Sequence, residues 1–494
     1  MKRRDFLIDA ACATGFAFST ALVHGDSPVT STDGQPANPR RAAAGPLRVH
    51  PTNPRYFADG SGKAVYLTGS HTWGSLQDGG VVDPPPAFDY PAYLEFLEQH
   101  QHNFIRLWRA ESTRATWDSN PARYYAPHPW PRSGSDSALD GKPKFDLSRF
   151  NDIYFDRLRS RVIAAGKRGI YVSIMLFEGW DLNNASWDGQ PFNRQNNVQG
   201  INGDPNGDSK GLEIQMLTIP AVTAVQEAYV RKIIDTVNDL DNVLYEISNE
   251  SRLLGSKVSS KDWQYHFIRF IKEYESRKPK QHPVGMTSQG YGGGDDSEIL
   301  FDSAADWISP NPDKFDFRKT PPASDGRKVI LLDTDHLWGI GGDRKWVWKS
   351  FLRGYNPIWM DPFDRSRNGT TNTWGPVLPV DADEVRRNLG YTLSYAKKMN
   401  LAKMTPRTDV ASSGYCLAEP GHEYLVYLPD SRDVSVDLSS VASVAVVGWF
   451  DPGTGTMQPG ENVTGGRRRS FHSPFGSDAV LSLKATDGMD SEVR

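Results

Sequence analysis

Cysteine is almost absent. The 494-residue sequence holds only Cys12 and Cys416, and the first falls inside a segment read below as an export signal, so no disulfide framework holds this fold together. Cys416 then reads as an inert buried thiol. Neither sign of charge is in excess: 56 Lys plus Arg stand against 60 Asp plus Glu, a formal net charge of -4. That removes the electrostatic footprint of a nucleic-acid binder or of a protein held on an anionic membrane surface. Beyond the amino terminus no stretch approaches the roughly 18 apolar residues of a membrane span. There is also no glycine-rich phosphate loop and no His-x-His pair, so the sequence calls for no cofactor and no metal. Asp204-Pro205-Asn206-Gly207-Asp208 has the spacing of a calcium loop but lacks its glycine at position six and its glutamate at position twelve.

What is present begins with an address. Arg3-Arg4-Asp5-Phe6-Leu7 precedes a moderately apolar stretch ending near Val23, the layout of a bacterial export signal of the twin-arginine kind. Residues 1–25 are read as that signal and 26–45, rich in Ser, Thr, Ala, Pro and Gly, as a linker. The mature protein is expected in the periplasm or outside the cell.

From residue 46 to 404 short apolar runs alternate with helical patterns, the signature of parallel βα units. The runs are Ala64–Gly69, Phe104–Trp108, Ile170–Leu176, Val243–Ser248, Pro283–Thr287, Ala305–Ser309, Val329–Asp333 and Pro357–Asp361. Eight of them predict a (β/α)8 TIM barrel. Amphipathic faces between them include Phe155, Leu158 and Val162, then Val222, Tyr229 and Ile233, then Trp263, Phe267 and Ile271. Ser259 or Ser260 is placed to cap the third of these helices, and Asp381 or Asp383 the last one. The fifth-to-sixth crossover is short and poorly helical. From 405 to 494 alternating strands such as Tyr424–Leu428, Val444–Phe450 and Ala479–Leu483 replace the helices, predicting a small all-β sandwich.

A TIM barrel concentrates chemistry at the carboxyl ends of its strands. Those ends carry Arg106, Trp108, Glu178, Trp180, Asn249, Glu250, Asp333, Asp335, His336 and Trp359. This rim is acidic and aromatic. Paired carboxylates suit glycoside hydrolysis, one protonating the leaving oxygen and the other attacking the anomeric carbon. The chain also has 14 Trp, 19 Tyr and 22 Phe, and flat sugar faces stack on such rings. Trp73, Trp108, Trp180 and Trp338 are strand-end candidates for that platform, and His71 and His336 for sugar hydroxyls or for tuning a carboxylate.

Val243-Leu244-Tyr245-Glu246-Ile247-Ser248-Asn249-Glu250 resembles the fourth-strand signature of family 5 glycoside hydrolases, the cellulase-like members of the large retaining clan, with Ser251 where Pro or Val is usual. The resemblance implies Glu250 as general acid/base, Asn249 as the partner of a sugar hydroxyl, Arg106 as the group that keeps the nucleophile ionised, and Trp359 as the floor of a sugar subsite. It departs at the seventh strand, where Asp333, with Asp335 two residues on, stands in place of glutamate. Register favours Asp333 as nucleophile. The segment Asn53 to Trp73, together with Trp449-Phe450-Asp451-Pro452-Gly453-Thr454-Gly455, is similar to a bacterial group that joins such a barrel to a sandwich of the collagen-binding type. The implied partner is a carbohydrate substrate, cleaved with retention. A non-catalytic glycan-binding protein on the same scaffold is the alternative, and a metal-dependent hydrolase using His71, Asp335 and His336 a further one.

Overall fold

The computed structural model describes residues 42–116, 122–182, 185–251, 259–288, 297–312, 315–363 and 382–486. Eight strands pair in parallel around one barrel: β1 Gly69–His71, β2 Phe104–Leu107, β3 Tyr171–Glu178, β4 Val243–Asn249, β5 Val284–Thr287, β6 Trp307–Ser309, β7 Val329–Asp333 and β8 Asn356–Met360. Outside them lie α1 Tyr90–Gln99, α2 Asp152–Lys167, α3 Pro220–Val237, α4 Lys261–Glu275, α5 Ser297–Asp302, α6 Arg344–Leu352 and α7 Ala382–Lys398. The anticipated apolar faces are the buried ones, including Phe155, Leu158 and Val162 on α2 and Trp263, Phe267 and Ile271 on α4. Helix starts carry ordinary signals, such as Asn151 accepting from the Ile153 amide ahead of α2 and Pro220 at the first turn of α3. Ser260 occupies the cap position of α4 without a capping bond, its hydroxyl accepting from Gln264 instead. Asp381 lies outside the described residues. The short fifth crossover is α5, six residues long.

Seven of the eight expected runs become β2 to β8 within two residues. The first differs. Ala64–Val65 folds back antiparallel on Phe57–Ala58, and the barrel strand is the next stretch, Gly69–His71, paired with β8. Alternation alone could not separate two short strands divided by only three residues. Between β1 and β2 the barrel is joined by one backbone bond, from the Asn103 amide to the Thr68 carbonyl, and one side-chain bond, Asn103 Oδ1 accepting from the Thr68 amide at 2.9 Å. Gly69 permits that approach, since a Cβ there would stand 2.5 Å from the Phe104 carbonyl oxygen.

Side chains alternate along each strand, and this sets the layers inside the barrel. Leu67, Phe104, Tyr171, Leu244, Trp307, Val329, Leu331 and Ile358 form an apolar plug toward the amino ends of the strands. Above it His71, Arg106, Glu246 and Asp333 form a fully buried polar layer. Trp73, Trp108, Met175 and Met360 cluster above that. The segment between β2 and α2, for which the sequence reading had no elements, adds small antiparallel sheets, Arg114–Ala115 and Arg123–Ala126 joining Asp78–Gly80 from the loop after β1 in one, and Arg132–Ser137 pairing with Pro143–Phe145 in another.

After Thr405 all pairings are antiparallel. One sheet includes Cys416–Glu419, Glu423–Leu428, Ala479–Ala485 and Val444–Phe450, and a second pairs Asp433–Asp437 with Arg468–His472. Cys416 is buried and unpaired, and burial pushes its thiol up to about 12. The sandwich is fixed to the barrel through α6 and α7. Trp348, Phe351 and Leu393 pack on Tyr427, Phe450 and Val480, and Arg344 bridges Asp478 and Glu384 beside them. The two mixed faces of α6 have distinct destinations, Trp346 toward the barrel core and Trp348 toward the sandwich.

Candidate active site

The polar layer is organised by one guanidinium. Arg106 is 1% exposed and donates from Nε to Glu246 at 2.8 Å, from Nη1 to Asp333 at 3.0 Å and Asp335 at 2.8 Å, and from Nη2 to Glu246 and Asn249. Its planar fork suits several acceptors at fixed angles, which an ammonium would not match. Trp108 covers its face at 4.9 Å. Glu246 was not among the sequence candidates. Its signal was present, because a charged residue in the middle of an otherwise apolar inner strand must find a buried counter-charge.

The Trp108 indole N–H donates to His71 Nδ1 at 2.8 Å. An indole can only donate, so Nε2 carries the imidazole proton and donates to Asp333 Oδ1 at 2.9 Å. The same Oδ1 accepts from the Asp335 amide, and Oδ2 from Arg106. Asp333 is wholly buried with both oxygens committed. Burial opposes its ionisation, but His71 and Arg106 together hold it well below the usual carboxylate range. His336 donates from Nε2 to Asn249 Oδ1 at 3.3 Å and accepts at Nδ1 from Ser309, and burial beside Arg106 lowers it to about 3. Both imidazoles thus have both nitrogens engaged, which leaves none for the metal arrangement considered from the sequence.

Two carboxyls remain less committed. Asp335 is 5% exposed and, among the described residues, its carboxyl accepts a hydrogen bond only from Arg106, through Oδ2. Burial raises it to about 6, Arg106 opposing and Asp333 adding to the shift. Glu250 follows β4 with φ 46, the left-handed region that a side chain enters at a cost and that marks functional positions. Burial pushes it well above its usual value, and the charge of Asp335 adds to the rise. The chain turns here against Gly179, where a Cβ would stand 2.6 Å from Ser251 Cα. Ser251 is buried, with its hydroxyl on Ser248 Oγ. A small polar residue thus fits where a bulkier one is usual.

Asn249 donates to Glu178 at 3.1 Å. Glu178 in turn accepts from the Trp180 amide and, with Trp73, Trp108, Tyr125, Trp180 and Asp181, lines a recess beside the polar layer. Trp180 is 40% exposed, the open aromatic face of that recess. Burial raises Glu178 well above its usual value and Asp181 to about 7. Tyr125, on the four-residue strand Arg123–Ala126, and Asp181, just past β3, escaped the sequence reading because neither segment carries a readable apolar period. Trp359 is not brought to this site. On β8, Ile358 and Met360 face inward, so Trp359 faces the helices. It is fully buried, with its indole donating to the Gly341 carbonyl and Arg386 over its ring. Parity rules it out as a subsite floor, and Met360 is the β8 side chain that reaches the mouth.

Residues 98–291 match the model of a "Domain of unknown function (DUF6298)" and residues 404–484 that of a "Putative collagen-binding domain of a collagenase". No curated protein matches in sequence. Among solved structures, one described as "Glycoside hydrolase" aligns with TM-score 0.59 at 13% identity, covering 90% of this chain and 97% of its own. A family 5 glycoside hydrolase from Bacteroides vulgatus aligns with TM-score 0.55 at 15% identity, covering 90% and 94%. The chain has the fold of the family 5 glycoside hydrolases. In that glycosidase fold the Arg106 network stands at the carboxyl ends of the strands, where barrel enzymes carry their chemistry.

Proposed function

We infer that the protein is a glycoside hydrolase that cleaves an O-glycosidic bond of a poly- or oligosaccharide with retention of configuration, Glu250 serving as acid/base and Asp335 as nucleophile. The observation that carries this is the division of labour around Arg106. Asp333, the residue favoured by register, is sealed behind three donors, while Asp335 and Glu250 keep carboxyl oxygens uncommitted among the described residues. Burial raises both, Glu250 well above its usual value, which keeps a proton on the group that must donate one, and Asp335 to about 6, which leaves it ionised at neutral pH. Glu250 gives its proton to the glycosidic oxygen as the bond to the anomeric carbon breaks, and Asp335 forms an ester to that carbon. Water, deprotonated by Glu250, then displaces Asp335, returning both carboxyls to their starting states. Asn249, His71, His336, Glu178 and the indoles of Trp73, Trp108 and Trp180 orient the sugar or the reacting groups. The export address belongs to the same proposal: a polysaccharide is met outside the cytoplasm.

The test is reducing-sugar release from a panel of plant and bacterial polysaccharides by the mature protein and by Glu250→Gln. Release by the parent should fall 10²–10⁴-fold in the variant. Binding without release by either protein would establish instead the glycan-binding alternative.

A further inference from the structure

At the end of the barrel opposite the mouth, the loop Gly62 to Ala64, the segment from Lys397 at the end of α7 to Lys403, and the sandwich residues Glu419, His422, Glu423 and Lys484 enclose one open groove. Five lysines, at 63, 397, 398, 403 and 484, face two glutamates there, in a chain whose overall charge is slightly negative. Both glutamates are already engaged, Glu419 with Lys403 at 3.2 Å and Glu423 accepting from the Asn400 amide. Among the described residues Lys63, Lys398 and Lys484 enter no ion pair. Charges of one sign gathered in a concave wall focus their field on whatever lies between them.

We propose that this groove, shared by barrel and sandwich, binds a stretch of an acidic polysaccharide, independently of the catalytic site. Its concave shape between two domains fits a chain rather than a flat lipid surface. The partly exposed Ala64 and Ala402 offer apolar contact to sugar C–H groups between the ammonium heads. The sandwich has no large exposed aromatic side chain among its described residues, so a stacking platform for a neutral glycan is not what it supplies. Charge is.

The experiment uses the Glu250→Gln chain, so that hydrolysis, or failure of the hydrolase reading, leaves the result untouched. Alginate is the probe, its propylene glycol ester the uncharged counterpart, and phosphatidylserine vesicles the competing polyanion. Binding is read by affinity electrophoresis and calorimetry. Alginate should bind, the ester should not, and binding should weaken steeply between about 50 and 200 mM salt, as counterion release requires. The triple change Lys63→Gln, Lys398→Gln, Lys484→Gln should weaken alginate binding about tenfold or more and flatten the salt dependence. The same three positions changed to Arg should keep it, which controls for folding. Unaltered binding by the Gln triple, lost binding by the Arg triple, equal binding of the ester, or equal binding of the vesicles would each overturn the proposal.

Discussion

The two ends of the barrel interior are built from the same strands by the same alternation, yet one is closed with hydrocarbon and the other with charge. At the amino end Phe104, Leu244, Trp307, Leu331 and Ile358 meet in a dry plug. Two residues further along, the same strands supply Arg106, Glu246 and Asp333. Burying those charges costs several kcal/mol per ion before pairing offsets it, so the upper layer contributes little net stability. The contrast separates the two tasks: the plug holds the barrel, and the polar layer holds carboxyls in defined protonation states.

The largest effect should come from Arg106→Met, which strikes both tasks. It leaves Glu246, Asp333 and Asp335 buried without their counter-charge, a loss of about 3–5 kcal/mol, along with turnover. The carboxyls would then relieve their repulsion by binding protons that the unfolded chain binds less readily. The deficit in thermal denaturation should therefore shrink as pH falls and grow as it rises. Trp307→Ala breaks the other end, with a loss of about 3–5 kcal/mol, and it should leave kcat per folded molecule unchanged. A large fall in kcat would show that the ends are not separable.

A third prediction concerns Asp335. Raised to about 6, it is ionised above that pH and protonated below. The acid limb of kcat/KM should therefore bend near 6 and fall about tenfold per unit below it. For stability the sign is opposite to that of an ordinary paired carboxylate. Between the usual Asp value and about 6 the folded state holds the extra proton, so stability contributed at low pH is lost as pH rises through 6. The smallest effect is expected of Trp108→Phe, which deletes the hydrogen bond that fixes the His71 tautomer at a cost of about 1 kcal/mol. It should slow turnover without moving the acid limb.

The same contrast explains how much was legible in the sequence. Strands β2 to β8 announce themselves because a parallel strand buried on both faces is a continuous apolar run. The first strand did not, since Gly69-Ser70-His71 has no apolar run and is defined by its pairing with β8. At the site, Arg106, Asn249, Glu250 and the two aspartates could be found from strand ends and the fourth-strand pattern. Trp359 was misplaced because a motif gives position along a strand without its face, and parity settles the face.

The most direct measurement of the central claim is chemical rescue of two variants, Asp335→Gly and Asp333→Gly, by azide on a substrate with a good leaving group. The account predicts that azide restores turnover only in Asp335→Gly and yields a glycosyl azide of inverted configuration, since the small anion enters the space vacated by the nucleophile. Rescue confined to Asp333→Gly would contradict it and return the nucleophile to the position that register alone suggested.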